Sequence, residues 1–327
     1  MKKKPSSRRA CRAGAAAMIA LILTSPAALG PAASPARPRI LGVSHIAFYV
    51  HDVDAARRFY RNVLGFADSG PLSSGNRSRG PAARIVVNDR QYIEIVPERE
   101  AGSDRLVEVA LQTDNVEAMR GYLKSRGLSV PDGVRMDEAG NRAFSVTDPD
   151  GHVVVFAQHA RDGRVVPEDD KGTPAGSPPI SSDMRHIGIL VGALEPAMQF
   201  YRDGFGFKEI WRGSRDEKEL NWVNMQVPDG EDYIEFMLYR DLPEPSKRGT
   251  QHHICLFVPD IERAAARLRE RAASAGYTRP MEIRVGTNRK RQLNLYDPDG
   301  TRTELMEPAT IDGKPAPSST APPPRSR

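Results

Sequence analysis

Two imidazoles and two carboxylates stand out in the C-terminal half of the chain: His186, Glu235, His253 and Glu304, separated by 49, 18 and 51 residues. Each falls in a short apolar run of strand character, so the four would come from four different strands. Two histidines and two carboxylates are a normal ligand set for a divalent transition metal that keeps positions open for substrate. Nickel, cobalt, zinc, manganese and iron(II) all suit it, with geometry and supply deciding among them. One divalent ion per chain is therefore expected. Any single histidine here could equally be a hydrogen-bonded core residue. A carboxylate on an inward strand face, however, is costly unless paired or coordinated.

The elements that must position these groups are duplicated. Ser44–Phe66 aligns with Arg185–Phe207, pairing His45 with His186 and Phe59-Tyr60-Arg61 with Phe200-Tyr201-Arg202 at an offset of 141. "QYIEIV" (Gln91–Val96) matches "DYIEFM" (Asp232–Met237) at the same offset, and the Asp-Pro-Asp-Gly segments 148–151 and 297–300 match at 149. Such small changes of offset are what loop insertions produce. A weaker repeat lies inside each copy: an apolar strand leads into a helix and then into three short alternating runs. The pairs are His45–Val50 with Val53–Leu64, Leu106–Gln112 with Val116–Arg126, His186–Val191 with Glu195–Phe205, and His253–Val258 with Ile261–Ala275. Asp52 or Asp54, Asp114 and Asp260 stand where helix N-caps are useful. The unit is strand–helix–strand–strand–strand, used four times.

Composition, at 39% hydrophobic and 27% charged, is that of a globular chain long enough for two domains. The net charge of +5 is a local effect: residues 1–30 hold six Lys or Arg and no acid, and the remainder carries 41 basic against 42 acidic residues. That balance gives no support to nucleic-acid binding. Residues 1–33 read as a signal peptide and leader, with a cationic start, an apolar run from Ala13 to Leu23 too short to span a bilayer, and then small residues and prolines. Cleavage between Ala28 and Ala36 is expected, with export to the periplasm or beyond and no membrane span in the mature protein. Cys255 is then the one remaining cysteine, so no internal disulfide forms and the fold must stand on its core. Residues 161–182 form a Pro/Gly/Ser linker, and residues 309–327 are too rich in proline and small polar residues to be expected to pack.

The run "HIAFYVHDVDAARRFYRNVLGF", followed by "YIE" and "DPDGHVVV" and then repeated, resembles the vicinal oxygen chelate superfamily. That group includes glyoxalase I, methylmalonyl-CoA epimerase, extradiol dioxygenases and the bleomycin-resistance proteins. The resemblance covers residues 40–160 and 183–308. It implies an α+β fold of tandem glyoxalase-like domains, each of two βαβββ modules forming a half-open eight-stranded barrel. It also implies ligands on the first and last strand of each module, which in the second copy are His186, Glu235, His253 and Glu304. His252 points to the other strand face by alternation. In the first copy His45 and Glu94 fit, but Glu108 stands in place of a histidine and Val155 in place of the last carboxylate, so that site is expected to be metal-free or weak. Arg289 and Arg291 are candidates for meeting an anionic substrate, although Arg142, six residues before the first Asp-Pro-Asp-Gly as Arg291 is before the second, favours a shared structural role.

Three readings of the chemistry follow from the resemblance. In the glyoxalase type, the metal takes vicinal oxygens of a small substrate and stabilises an enediolate, with Glu304, or alternatively Glu235, carrying the proton in lyase or isomerase chemistry. In the extradiol type, His186, His253 and Glu304 would hold iron(II) for ring cleavage. That leaves Glu235 as an extra anion, Asn294 where those enzymes carry a tyrosine, and Gly286, Thr287 and Asn288 where they carry a histidine. The third reading is a non-enzymatic module that sequesters a small molecule such as an antibiotic; such modules need no metal, so the intact quartet favours an enzyme. Glyoxalase's usual thiol, glutathione, is scarce outside the cytosol, which leaves the substrate open. The duplication suits a monomer with an internal pseudo-dimer, or a homodimer.

Overall fold

The computed structural model describes Met1 and residues 35–72, 82–98, 100, 102–137, 140–160, 178–249 and 251–325. The expected leader and most of the expected linker lie outside the described residues. Four modules follow one another. The first runs β1 (Ile40–Val50), α1 (Val53–Arg58), β2 (Ala67–Leu72), β3 (Ala82–Val86) and β4 (Tyr92–Pro97). The second runs β5 (Leu106–Thr113), α2 (Val116–Ser125), β6 (Arg135–Met136), β7 (Arg142–Thr147) and β8 (Val153–Gln158). The third runs β9 (Met184–Val191), α3 (Leu194–Met198), β10 (Lys208–Gly213), β11 (Trp222–Gln226) and β12 (Tyr233–Leu238). The fourth runs β13 (His253–Phe257), α4 (Ile261–Ala275), β14 (Ile283–Val285), β15 (Lys290–Tyr296) and β16 (Arg302–Thr310).

Helix starts follow local chemistry. Asp52 accepts from Ala55 N at 2.9 Å and Asp260 from Arg263 N at 3.0 Å, both as expected caps. At α2 the cap is Asn115, accepting from Ala118 N at 3.0 Å, not its neighbour Asp114. After α1 and α3 the helix widens into a π-type turn, Phe59–Val63 and Gln199–Gly204, so the expected single helices change pitch midway. These turns carry the repeated Phe-Tyr pair and leave Tyr60 and Tyr201 fully buried.

Each copy makes one mixed eight-stranded sheet, β2-β3-β4-β1-β5-β8-β7-β6 and β10-β11-β12-β9-β13-β16-β15-β14. Within a module the first and last strands pair in parallel, and the two modules join antiparallel through their first strands. The four central strands of the second sheet, β12-β9-β13-β16, are therefore the four that carry the ligand-type residues. Alternation sends Ile187, Ile189, Ile234, Phe236, Ile254 and Leu305 into the helix-covered core. It sends His186, Glu235, His253 and Glu304 to the opposite, inner face.

The core runs through both copies, with Phe156 against Phe205 at 5.0 Å and Phe59 against Tyr277 at 5.8 Å between ring centroids. The Asp-Pro-Asp-Gly segments are turns, as composition implies, and each also docks on the other copy. Gly192 N donates to Asp150 at 3.2 Å, and His51 N donates to Asp299 at 3.0 Å. Tyr201 Oη donates to Asp148 at 3.0 Å across the same junction.

The C-terminal segment differs from the expected disorder. Trp211 Nε1 donates to Pro317 O at 2.7 Å, Ser319 N to Arg212 O at 3.0 Å, and Leu220 N to Pro322 O at 2.8 Å. The reason is the partner: β10 is an edge strand whose Arg212 carbonyl accepts from the tail, while the Trp211 indole and Leu220 N–H need acceptors, and prolines keep their carbonyls while losing only the N–H. Among the described residues, no helix is long and apolar enough to cross a membrane.

Candidate metal centre

The four residues meet. His186 Nε2 lies 3.3 Å from His253 Nε2 and 3.5 Å from Glu304 Oε2. His253 Nε2 lies 3.5 Å from both Glu304 Oε2 and Glu235 Oε2. Ligand atoms held at about 2.0–2.2 Å from one ion stand about 3.0–3.5 Å from each other, so the spacing suits a shared cation. The donor chemistry agrees. His253 Nδ1 lies 2.9 Å from Gln251 O, an acceptor that suits the tautomer with its proton on Nδ1 and the lone pair of Nε2 toward the centre.

Gly188 makes room for this. It pairs with Glu235 on one side and His253 on the other, and a Cβ at 188 would stand 1.9 Å from His253 Cε1. The imidazole lies across β9 because nothing but a backbone is there. His186 in turn leans on the ring of Tyr233, 4.6 Å away.

Electrostatics separates the two carboxyls. Burial alone would raise Glu304, but hydrogen bonds with His186 and His253 and the charge of Arg302 hold it well below the usual carboxylate range. Burial raises Glu235, and the charge of Glu304 adds to the rise against the opposing pull of His186 and Arg302. Burial, then the charge of Arg302, pulls the His253 imidazole down to about 3, which keeps it in the neutral, ligand-competent form.

Three neighbours escaped the sequence reading as parts of this centre. Gly188 is the first. Cys255 is the second: it pairs with His186 and Glu304 across its two ladders and could join them as a ligand, though burial pushes its thiol far up. Arg302 is the third; its NH2 lies 2.7 Å from His253 Nδ1, 3.1 Å from Nε2 and 3.6 Å from Met237 Sδ. The two-residue strand period places Arg302 beside Glu304, which is the signal that could have found it.

Arg289 and Arg291 are not brought to the quartet. Arg289 sits at positive φ in the turn before β15 and bonds Asp312 at 2.9 Å, while Arg291 lies 4.0 Å from Glu307 on the strand face opposite Asn294. Both lie among solvated partners because the turn and strand parity point them away. His252 faces away from the centre as expected, fully buried with Nε2 3.3 Å from Asp104.

In the first copy His45, Glu94 and Glu108 still converge, with His45 Nε2 at 3.3 Å from Glu108 Oε1. Val155 packs with Ala110 and Ala157 where a fourth ligand would be. Ala47 holds the position of Gly188, opposite Glu108. Arg84 stands across from Glu94 with its guanidinium 4.3 Å over Tyr92, whose other neighbour is the stacked ring of His45 at 4.4 Å.

The family model described as Glyoxalase/Bleomycin resistance protein/Dioxygenase superfamily matches residues 42–156 and 184–305, once for each copy. No curated protein matches the chain. Among solved structures, the 2,3-dioxygenase LapB from Pseudomonas sp. KL28 is 18% identical with a TM-score of 0.61, over 86% of this chain and 97% of that one. A variant of homoprotocatechuate 2,3-dioxygenase from B. fuscum is 17% identical with a TM-score of 0.63, over 89% and 77%. The Mn(II)-bound glyoxalase from Novosphingobium aromaticivorans is 17% identical with a TM-score of 0.60, over 83% of both chains.

Proposed function

The chain belongs to the Glyoxalase/Bleomycin resistance protein/Dioxygenase superfamily, and we propose that it is a divalent-metal-dependent enzyme acting on a small, vicinally oxygenated substrate through its second copy. The observation that carries this is the meeting of four ligand atoms within 3.3–3.5 Å contacts on the inner face. His186, Glu235, His253 and Glu304 would hold the ion. When bound, it would supply Lewis acidity toward two adjacent substrate oxygens. Equilibrium dialysis against Mn(II), Co(II), Ni(II), Zn(II) and Fe(II) tests the reading: one ion per chain, lost in His186→Ala, supports it, and no uptake contradicts it.

Within that reading the chain's own groups divide the work of lyase or isomerase chemistry. Glu304, kept ionised by two imidazoles, is a firm ligand. Glu235, whose carboxyl is raised by burial, suits taking and returning a proton at a substrate carbon beside a carbonyl. The sequence alone favours Glu304 for that task; the environments reverse the order.

A second reading is extradiol ring cleavage. His186, His253 and Glu304 lie within 3.3–3.5 Å of one another, the closed triangle a two-histidine, one-carboxylate set requires, and the dioxygenases named above share the fold. Oxygen uptake by the Fe(II)-loaded protein with catechols supports this reading, and its absence beside turnover of a carbonyl substrate supports the first. Export is proposed as well, on the cationic-then-apolar order of residues 2–23; recovery from the periplasm or medium, shortened at its N-terminus, tests it.

A further inference from the structure

We infer that Arg302 anchors a carboxylate of the substrate, placed next to the two oxygens the metal would take, so that the substrate class is a carboxylate whose two neighbouring carbons carry the vicinal oxygens, such as a 2,3-dihydroxy or 3-hydroxy-2-oxo acid. The inference rests on the metal reading above and deepens it.

Two carboxylates balance a divalent ion, and Arg302 then adds one positive charge that nothing in the centre offsets. Neighbouring arginines of the same copy have carboxylate partners: Arg185 with Asp183 at 2.7 Å and Arg248 with Asp104 at 3.2 Å. Arg302, half-buried, has no carboxylate within 4.0 Å among the described residues, and its Nε is buried without a partner. A guanidinium is charged at any working pH and has only donors.

Its present contacts are poor substitutes. With a metal on Nε2 the remaining proton of neutral His253 would be on Nδ1, facing Gln251 O at 2.9 Å, and the 2.7 Å approach of Arg302 NH2 to that nitrogen would then set donor against donor. Only Nε2, at 3.1 Å, can accept, and its lone pair is the one a metal takes. Metal binding therefore strips Arg302 of its acceptor. A carboxylate fits the planar fork of the guanidinium with two parallel hydrogen bonds. Because the guanidinium lies against the same imidazole, that carboxylate must sit on a carbon adjacent to the chelating oxygens. In the first copy Val153 stands two residues after its Gly151, as Arg302 does after Gly300, so the anchor belongs to the second copy alone.

The test uses the full metal-loaded chain and three chelating probes: catechol, 2,3-dihydroxybenzoate with its carboxylate beside the oxygens, and 3,4-dihydroxybenzoate with its carboxylate remote. Affinities are measured by calorimetry for wild type, Arg302→Gln and Arg302→Lys, with bound metal determined on every sample. Wild type is expected to favour 2,3-dihydroxybenzoate over both other probes by at least about tenfold, the worth of a charge-assisted pair. With every sample held at saturating metal, Arg302→Gln is expected to abolish that preference, read as the ratio of affinities for 2,3-dihydroxybenzoate and catechol within each variant, and Arg302→Lys to keep part of it. Metal retained with the preference absent from wild type, or unchanged in Arg302→Gln, overturns the assignment of Arg302 alone. A wild type that takes up no metal overturns this inference together with the reading beneath it, and the metal determination tells the two failures apart.

Discussion

The imidazole of His253 lies across Gly188 so closely that a single methyl group at 188 would stand 1.9 Å from Cε1. A ligand on β13 thus depends on the absence of a side chain on β9. Gly188→Ala should leave the fold intact, since the change is on the inner face, yet displace the ring and weaken metal binding by about 10–100-fold or more. Competition with a chromophoric chelator measures this directly.

The first copy offers the reverse experiment. Ala47 faces Glu108 as Gly188 faces His253. Glu108→His alone should fail to create a second site, because the Ala47 methyl occupies the seat of the ring. Ala47→Gly with Glu108→His leaves two imidazoles and Glu94 together, and metal stoichiometry should rise from one to two per chain.

The two carboxyls of the centre should separate by function. Glu304→Gln removes the ionised ligand held by His186 and His253 and should lose the ion. Glu235→Gln should retain it, while turnover falls by about 10²–10⁴, the usual worth of a positioned proton carrier. Metal analysis beside turnover for both variants checks the division.

Asp232 gives a pH signature at the junction of the copies. Burial raises its carboxyl to about 7 from 3.8, although Val43 N donates to it at 2.9 Å. Between those values the folded state holds a proton that the unfolded state has released, so stability falls as pH rises through about 4 to 7. Asp232→Asn keeps the acceptor without the charge. Its denaturation midpoint should show a shallower decline over that window, and at pH 8 the variant should exceed wild type by about 1–3 kcal/mol.

Deleting residues 313–327 removes three backbone acceptor or donor partners of β10 and its following loop. At about 0.5–1.5 kcal/mol for each bond, the loss should be near 3 kcal/mol. Hydrogen exchange should quicken at Ser319's partner strand, β10, before it quickens in the central strands.

Much of this molecule is legible in its sequence because duplication prints every element twice. The offset of 141 between His45 and His186, and between the two Tyr-Ile-Glu runs, aligns modules without any propensity argument, and strand alternation then sets the ligand-type residues on one face. What was not legible depends on three-dimensional proximity. Gly188 gains its meaning from cross-strand register, which a linear pattern does not contain; strand period puts Arg302 on the face of Glu304, but only the register sets it against His253. Arg289 and Arg291 looked suitable by charge, but a left-handed turn and strand parity direct them to Asp312 and Glu307. The tail's composition describes an unstructured peptide, and only the open edge of β10 gives it somewhere to bind. Asn115 caps α2 instead of Asp114 because it immediately precedes the first helical residue, Val116, and its side chain reaches Ala118 N.

The central claim is that one divalent ion sits among His186, Glu235, His253 and Glu304. Anomalous diffraction from crystals of the metal-loaded protein, recorded on both sides of the metal's absorption edge, tests it most directly. The account predicts a single strong peak within about 2.5 Å of His186 Nε2, His253 Nε2 and Glu304, with Glu235 alongside. A peak confined to His45, Glu94 and Glu108, or no peak at the second copy, would contradict it.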